Sequence, residues 1–219
     1  MKYYGQYKQD KYLDRLFKQK QNGTFVDIGA HDGETFSNSY FFEKERDWEG
    51  VCIEPIPVIF EKLNQTRNCI KINGCISDKV GTEKFLRVKG ELVDTEMLSG
   101  LVEDYDSRHL ERIDREIAAY GGSKEEIEVT CYNINKILTD NQITHVDFFT
   151  IDTEGNELKI LQTINFDQFD FDVFIVENNY ETNEINELMT SHNFKRIKKI
   201  GHDEVYRNKN KLSFLQKLA

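Results

Sequence analysis

Apolar and polar positions follow two periods along the 219 residues of this chain. Short apolar runs that end in glycine, proline or an acid read as buried strands, and the stretches between them carry helical spacing. "TFVDIG" (24–29) predicts a first strand, "TFSNSYFFEKE" (35–45) a helix, and "GVCIEP" (50–55) a second strand. Pro55 and Pro57 set off a second helix, "VIFEKLNQ", and "CIKINGCIS" (69–77) supplies a third strand and the loop after it. The rhythm resumes with "HVDFFTID" (145–152) as a buried strand, "GNELKILQTI" as a helix, "FDVFIVENN" (171–179) as another buried strand and "EINELMTSH" as a helix. "FKRIKKI" and "DEVYRNK" predict an antiparallel hairpin around Gly201. Strands alternating with helices predict an α/β fold: a mostly parallel sheet, covered on both faces, with ligands at the carboxyl ends of its strands.

From about 85 to 130 the rhythm breaks. "VKGELVDTEMLSGLVEDYDS" has no clear period, and "RHLERIDREIAAYGG" is helical up to two glycines. A segment this long inside a compact unit reads as a lid or substrate-recognition insert. With no repeat and no low-complexity linker, the expectation is a single domain over 1–219.

Composition narrows the function classes. Hydrophobic residues make up 38% with fifteen Phe and ten Tyr, which is enough to build a core despite 31% charged residues. The net charge of -10 opposes sequence-independent attraction to phosphate backbones and anionic lipid, so nucleic acid is not an expected partner. Arg108, Arg112 and Arg115 recur on one predicted helix, but Glu111, Asp114 and Glu116 interrupt them, and the helix reads as a solvated face. Cys52, Cys69, Cys75 and Cys131 show no CxxC spacing and are expected reduced. No run of 18 apolar residues occurs and the first residues lack a signal-peptide core, so the expectation is a cytoplasmic chain without membrane insertion.

The chemistry concentrates at the ends of the predicted strands. In "FVDIGAHDGETFSN" a strand runs into Asp27, Gly29, Ala30, His31, Asp32, Gly33 and Thr35, placing backbone amides beside a tight turn that a ligand can approach. The dinucleotide fingerprint GxGxxG is absent, and two acids stand where a pyrophosphate would meet negative charge. The loop suits a ligand with a positive centre and no phosphate, a description that S-adenosylmethionine meets. Asp27, or Asp32 through water, would accept from its ammonium. Glu54, next to Pro55 at the end of the second strand, would accept from both ribose hydroxyls. Ser77 and Asp78 would meet the adenine. The plainer alternative makes Asp27 a helix cap and Glu54 a surface acid.

"GTFVDIGAHDGETFSNSYFFEKERDWEGVCIEP", "MLSG", "IDTEGNELKIL" and "VENNY" together resemble the FkbM-type methyltransferases, a branch of the class I S-adenosylmethionine-dependent enzymes. The similarity extends from "YGQYKQDKYL" to "DEVY". It implies a Rossmann-like class I methyltransferase fold and O-methylation, often of sugar or polyketide hydroxyls. Where such family members often have Lys before Ile-Asp, this chain has Thr150, so no role passes to that position. The expected acceptor is a sugar or glycan, within a larger glycan-building protein if the chain is one of its modules.

Methyl transfer asks the protein to position an acceptor oxygen and help remove its proton. Asp152 ends the fourth strand and Glu177-Asn178-Asn179 the fifth. In metal-dependent catechol and sugar O-methyltransferases, which this arrangement resembles, such an acid and an acid-amide pair hold the ion. By that comparison Asp152, Glu177 and Asn178 are candidate ligands for Mg²⁺ or Mn²⁺. Without a metal, Glu154 is the alternative general base beside Asp152. His109 in the insert and Tyr180 after the fifth strand are candidate substrate contacts. His145 is expected at the opposite end of the sheet, and His192 and His202 away from the site.

Overall fold

The computed structural model describes residues 1–91 and 95–212. A short helix α1 (Gln9–Leu16) precedes β1 (Thr24–Ile28), α2 (Tyr40–Arg46), β2 (Glu49–Glu54), α3 (Pro57–Thr66) and β3 (Ile70–Asn73). The insert follows as β4 (Cys75–Ile76), β5 (Gly81–Gly90), β6 (Gly100–Leu101), α4 (Ser107–Tyr120) and β7 (Gly122–Tyr132). Then come α5 (Ile134–Asp140), β8 (His145–Ile151), α6 (Glu157–Thr163), β9 (Asp170–Glu177), α7 (Glu184–Ser191), β10 (Phe194–Ile200) and β11 (Asp203–Asn208).

Seven strands form one sheet in the order β10-β11-β9-β8-β1-β2-β3, with β8 in its middle and β1 beside it. Neighbours from β3 to β9 are parallel, and β11 runs antiparallel to both β9 and β10. This is the expected Rossmann-like arrangement with its closing hairpin. Burial on both faces explains why the central strands read as mostly apolar runs, interrupted by Asp27, Asp147, Thr150 and Asp172, rather than as alternating ones. Phe25, Cys52, Phe148 and Val173 face one layer with Phe41, Phe42, Trp48 and Leu63, whereas Val26, Ile53, Phe149 and Phe174 face the other with Ile137, Ile160 and Met189. Fully burying one of these Phe or Leu side chains contributes roughly 1.5–3 kcal/mol.

The region expected to be aperiodic contains a second sheet, in the order β4-β7-β5-β6. β5 and β7 pair antiparallel from Gly81↔Cys131 to Gly90↔Gly122, and α4 lies in the connection between them. Most of β7 is exposed and charged, including Lys124, Glu125, Glu126 and Glu128. Only toward the end of β7 do the apolar Ile127, Val129 and Cys131 alternate with the exposed Glu126, Glu128 and Thr130, a short period-2 signal that the sequence reading did not use. Positions 92–94 of that stretch lie outside the described residues.

Two further elements were not anticipated, α1 and α5. The helix expected over 35–45 begins only at Tyr40. Phe36 adopts φ 56°, and the Ser37 hydroxyl accepts from the backbone N–H of Tyr40, so Thr35–Ser39 remain a loop over the sheet edge. The four cysteines are free, and three of them are buried. No helix among the described residues is long and apolar enough to cross a membrane.

Candidate active site

The loops after β1, β2, β8 and β9 meet at the carboxyl end of the sheet around a cavity of about 780 Å³, and the insert forms its other wall. That volume falls within the range of small-molecule and cofactor sites, roughly 300–1,000 Å³. Asp27, Gly29, Ala30, His31, Thr35, Glu54, Pro55, Asp152, Glu154, Glu177 and Tyr180 all line it.

The β1 loop closes against the strands beside it. Gly29 and Ala30 donate their N–H groups to the Ile53 carbonyl, and Asp152 donates its own to Ile28. Gly29 has φ 85°, and a Cβ there would sit 1.8 Å from the Asp152 carbonyl oxygen, so only glycine lets the β1 and β8 ends approach this closely. Asp27 is buried and accepts from the Ser39 hydroxyl. Ser39 in turn accepts from Arg67, which also reaches the Gly33 carbonyl at 3.1 Å and Glu43 at 2.7 Å. Burial raises the Asp27 carboxyl above its usual range, and the Arg67 charge opposes that rise.

Glu54 accepts from the backbone N–H of His31 at 3.1 Å and of Ile56 at 2.8 Å, one bond to each oxygen. It is therefore no surface acid: it ties the β1 loop to the β2 loop while one lone pair on each oxygen stays uncommitted. Burial pushes its pKa up to about 7, against the two backbone donors and His31.

Three carboxylates gather on the β8–β9 side. Asp152, Glu154 and Glu177 each offer an oxygen within 4.8 Å of the others. Asp152 exposes surface to the cavity, yet protein encloses the cavity around it. This poor solvation, with the Asp203 charge, raises its pKa to about 7, and a hydrogen bond links it to Glu177. Burial first, and then the Asp152 charge, raise Glu154 and Glu177 as well. The loop carrying these groups is folded by Glu157, which accepts from the backbone N–H groups of Thr153 and Gly155 and from the Thr153 hydroxyl. Glu154 itself adopts φ 58°. It is held by the Asn179 amide at 3.1 Å, His109 Nδ1 at 3.3 Å and Arg112 at 3.6 Å.

His109 is fully buried behind Glu154, not in the cavity lining. Its ring stacks on Tyr105, and Nε2 lies 3.0 Å from the Leu98 carbonyl. A carbonyl only accepts, so Nε2 carries the hydrogen and Nδ1 turns a lone pair to Glu154. Burial lowers the His109 pKa and raises that of Glu154, which favours a neutral ring facing a protonated acid.

Other expected site residues lie apart from the cavity lining. Asp32 accepts from the backbone N–H groups of Glu34 and Thr35 and from the Thr35 hydroxyl. Partial burial would raise its carboxyl, but His31 and these loop donors hold it well below the ordinary value. Gly33 packs under the loop, where a Cβ would meet Arg67 and Leu63 at 2.7 Å. Ser77 and Asp78 line a separate small recess with Lys79 and Lys159. The Asn178 side chain closes the turn after β9, donating to the Thr182 carbonyl and accepting from its N–H, both at 3.0 Å. The Asn next to it, Asn179, faces the cavity instead.

Two further placements differ from the sequence reading. Arg108, Arg112 and Arg115 line the cavity rather than a solvated face alone, because α4 folds back over the sheet rim. His202 lines it too, since the turn between β10 and β11 lies at the same end of the sheet as the β9 loop. Thr150, where the family often has Lys, accepts from the Asn38 amide at 3.2 Å.

Comparison with known proteins gives the family. The chain belongs to the family of the methyltransferase FkbM domain, whose model matches residues 27–196. It is similar to the crystal structure of methyltransferase FkbM from Methylobacillus flagellatus KT, at 12% identity and a TM-score of 0.46, over 85% of this chain and 43% of that one. It is also similar to a methyltransferase from Pyrococcus furiosus, at 12% identity and a TM-score of 0.42, over 91% of this chain and 82% of that one. The chain thus spans less than half the length of the Methylobacillus protein. No curated protein matches it in sequence.

Proposed function

We propose that this chain transfers the methyl group of S-adenosylmethionine to a hydroxyl of a sugar, a deoxyhexose such as rhamnose or fucose within a glycan. The observation that carries this reading is the division of one cavity into two acidic zones: Glu54 with the glycine turn on the β1–β2 side, and the three carboxylates on the β8–β9 side. The first zone suits the donor. Glu54 is already oriented by two backbone donors and keeps lone pairs for the ribose hydroxyls, and Asp27 supplies negative charge near the ammonium.

The second zone suits the acceptor. Asp152 is open to the cavity and has a pKa of about 7, the range in which a carboxylate takes a proton effectively near neutral pH. As the acceptor oxygen forms its bond to the methyl carbon, the carbon–sulfur bond breaks and the hydroxyl proton passes to Asp152. Burial and the Asp203 charge hold this pKa high, while Asn179 keeps the neighbouring Glu154 in place. The donor set also fits a hard divalent cation: crowded carboxylates that now share protons are stabilised by Mg²⁺ or Mn²⁺. Asp152, Glu154 and Glu177 would hold it, with Asn178 excluded by its turn contacts, and the ion would lower the pKa of a bound diol.

A thermal-shift series with S-adenosylhomocysteine and NAD, followed by labelled methyl transfer to rhamnose, fucose, RNA and peptide panels, tests the reading. Stabilisation by the homocysteine nucleoside alone and label on a sugar are expected. Stabilisation by NAD instead would overturn the donor assignment, and label on RNA or peptide would overturn the acceptor.

A further inference from the structure

We infer that the acceptor carries an oxyanion, a carboxylate or a phosphate, bound by the arginines of α4 beside the transfer site. This inference rests on the methyl-transfer reading above and names the acceptor's chemistry more closely. Arg108, Arg112 and Arg115 stand at i, i+4 and i+7 on α4, one face of the helix, and all three line the cavity. They occur in a chain of net charge -10, in a cavity whose opposite rim is acidic, so the cavity is electrically polarised. A donor bearing a sulfonium and an ammonium matches the acidic rim. The guanidinium wall calls for the opposite charge.

The three side chains differ in how far they are committed. Arg108 is held by Asp106 through Nε at 2.8 Å and Nη2 at 2.6 Å, and its guanidinium lies 4.1 Å from the centre of the Tyr180 ring. That pairing largely neutralises its charge and fixes the Tyr180 ring beside the cavity as a platform for a sugar. Among the described residues the only ion pair of Arg112 is with Glu154, at 3.6 Å, and its side chain remains 39% exposed. Among the described residues, Arg115 has no hydrogen bond or ion pair and is exposed. Glu111 and Glu116 share the wall, so it is not a general anion sink. Recognition would rest on the planar fork of Arg112 and Arg115, which matches two oxygens of one carboxylate or phosphate.

The wall also lies on the correct side. Arg112 touches Glu154 of the β8 loop and Arg108 touches Tyr180 of the β9 loop, the two loops assigned to the acceptor. An oxyanion seated on Arg112 and Arg115 would hold the rest of the sugar between Tyr180 and Asp152, with a hydroxyl turned to the methyl group.

Isothermal titration with glucose, glucuronate and glucose 6-phosphate, in the presence and absence of S-adenosylhomocysteine, tests this for wild type, Arg115→Ala and the double variant Arg112→Ala/Arg115→Ala. At least one anionic sugar should bind tenfold or more tightly than glucose, and which one does identifies the oxyanion. Arg115→Ala, at an exposed position without partners, should reduce that preference at least threefold. The double variant should abolish it while S-adenosylhomocysteine affinity stays within twofold. No preference in wild type, a preference that survives in the double variant, or a loss of nucleoside affinity there would overturn the inference. The last outcome would mean that the arginines hold the donor's own carboxylate. Failure of wild type to bind S-adenosylhomocysteine at all would refute the donor reading instead, and the titrations without it would still report the anion preference.

Discussion

Replacing Gly29 by alanine places a methyl group against a backbone that has nowhere to go. The added carbon would lie 1.8 Å from the Asp152 carbonyl oxygen, whereas carbon and oxygen ordinarily approach to about 3.3 Å, so the two chain segments must part by more than an ångström. They cannot part freely. Ile28 pairs with Ile151 in the parallel register, and its carbonyl accepts from the Asp152 N–H at 3.0 Å. The left-handed φ of 85° costs a non-glycine residue about 1–2 kcal/mol, and overpacking adds about 1–3, giving a destabilisation of about 2–5 kcal/mol. Gly81→Ala serves as the control: φ is 138° there, but nothing lies within 4 Å of the new carbon, so backbone strain alone remains. Urea melts of both variants, with calorimetric titration of S-adenosylhomocysteine, measure the effect. A Gly29→Ala loss below about 1 kcal/mol with unchanged nucleoside affinity would show that the close approach does not shape the site.

The remaining predictions concern the carboxylates and their neighbours. Burial raises Glu54 from 4.5 to about 7, so the folded chain holds a proton that the unfolded chain has released, and this contribution to stability is lost as pH rises through that window. The difference corresponds to about 3 kcal/mol at most, and urea melts at pH 5 and pH 8 should show a smaller pH dependence in Glu54→Gln than in wild type. An identical pH dependence in the two proteins would assign the proton elsewhere. Asp152→Asn should lower methyl transfer about a hundredfold or more with S-adenosylhomocysteine affinity nearly unchanged, as measured by labelled transfer and calorimetry. Asn178→Ala should cost about 1–3 kcal/mol through its two bonds to Thr182, while any stimulation by added Mn²⁺ persists; loss of the stimulation alone would restore it as a ligand.

How much the sequence disclosed depended on how each segment meets water. β1, β8 and β9 are covered on both faces, so Phe25–Ile28, Val146–Ile151 and Phe171–Val176 stand out as apolar runs, and the acids that end them mark the rim. The β5–β7 ribbon meets solvent along much of its length, and its charged residues gave no such signature. The arginines of α4 looked like a solvated stripe because their partner surface, the β8 and β9 loops, comes from residues about forty and seventy positions further on. Within one stretch, "ENNY", identity was readable but direction was not. Asn178 turns back to Thr182 and Asn179 turns to Glu154, a choice made by the turn after β9 rather than by either amide.

The connection from β3 into β4 passes through a single residue, Gly74, and carries the chain from the seven-stranded sheet to the four-stranded one. The two halves of the cavity therefore belong to different sheets: the rim that carries Glu54 and Asp152 is fixed by the large one, and the opposing helix α4 hangs from a hairpin of the small one. Residues on that helix can be exchanged without disturbing the packing of the central strands. On the proposed function, a scaffold divided in this way would let new acceptor preferences be grafted, by selection or by engineering, while the donor end stays unchanged.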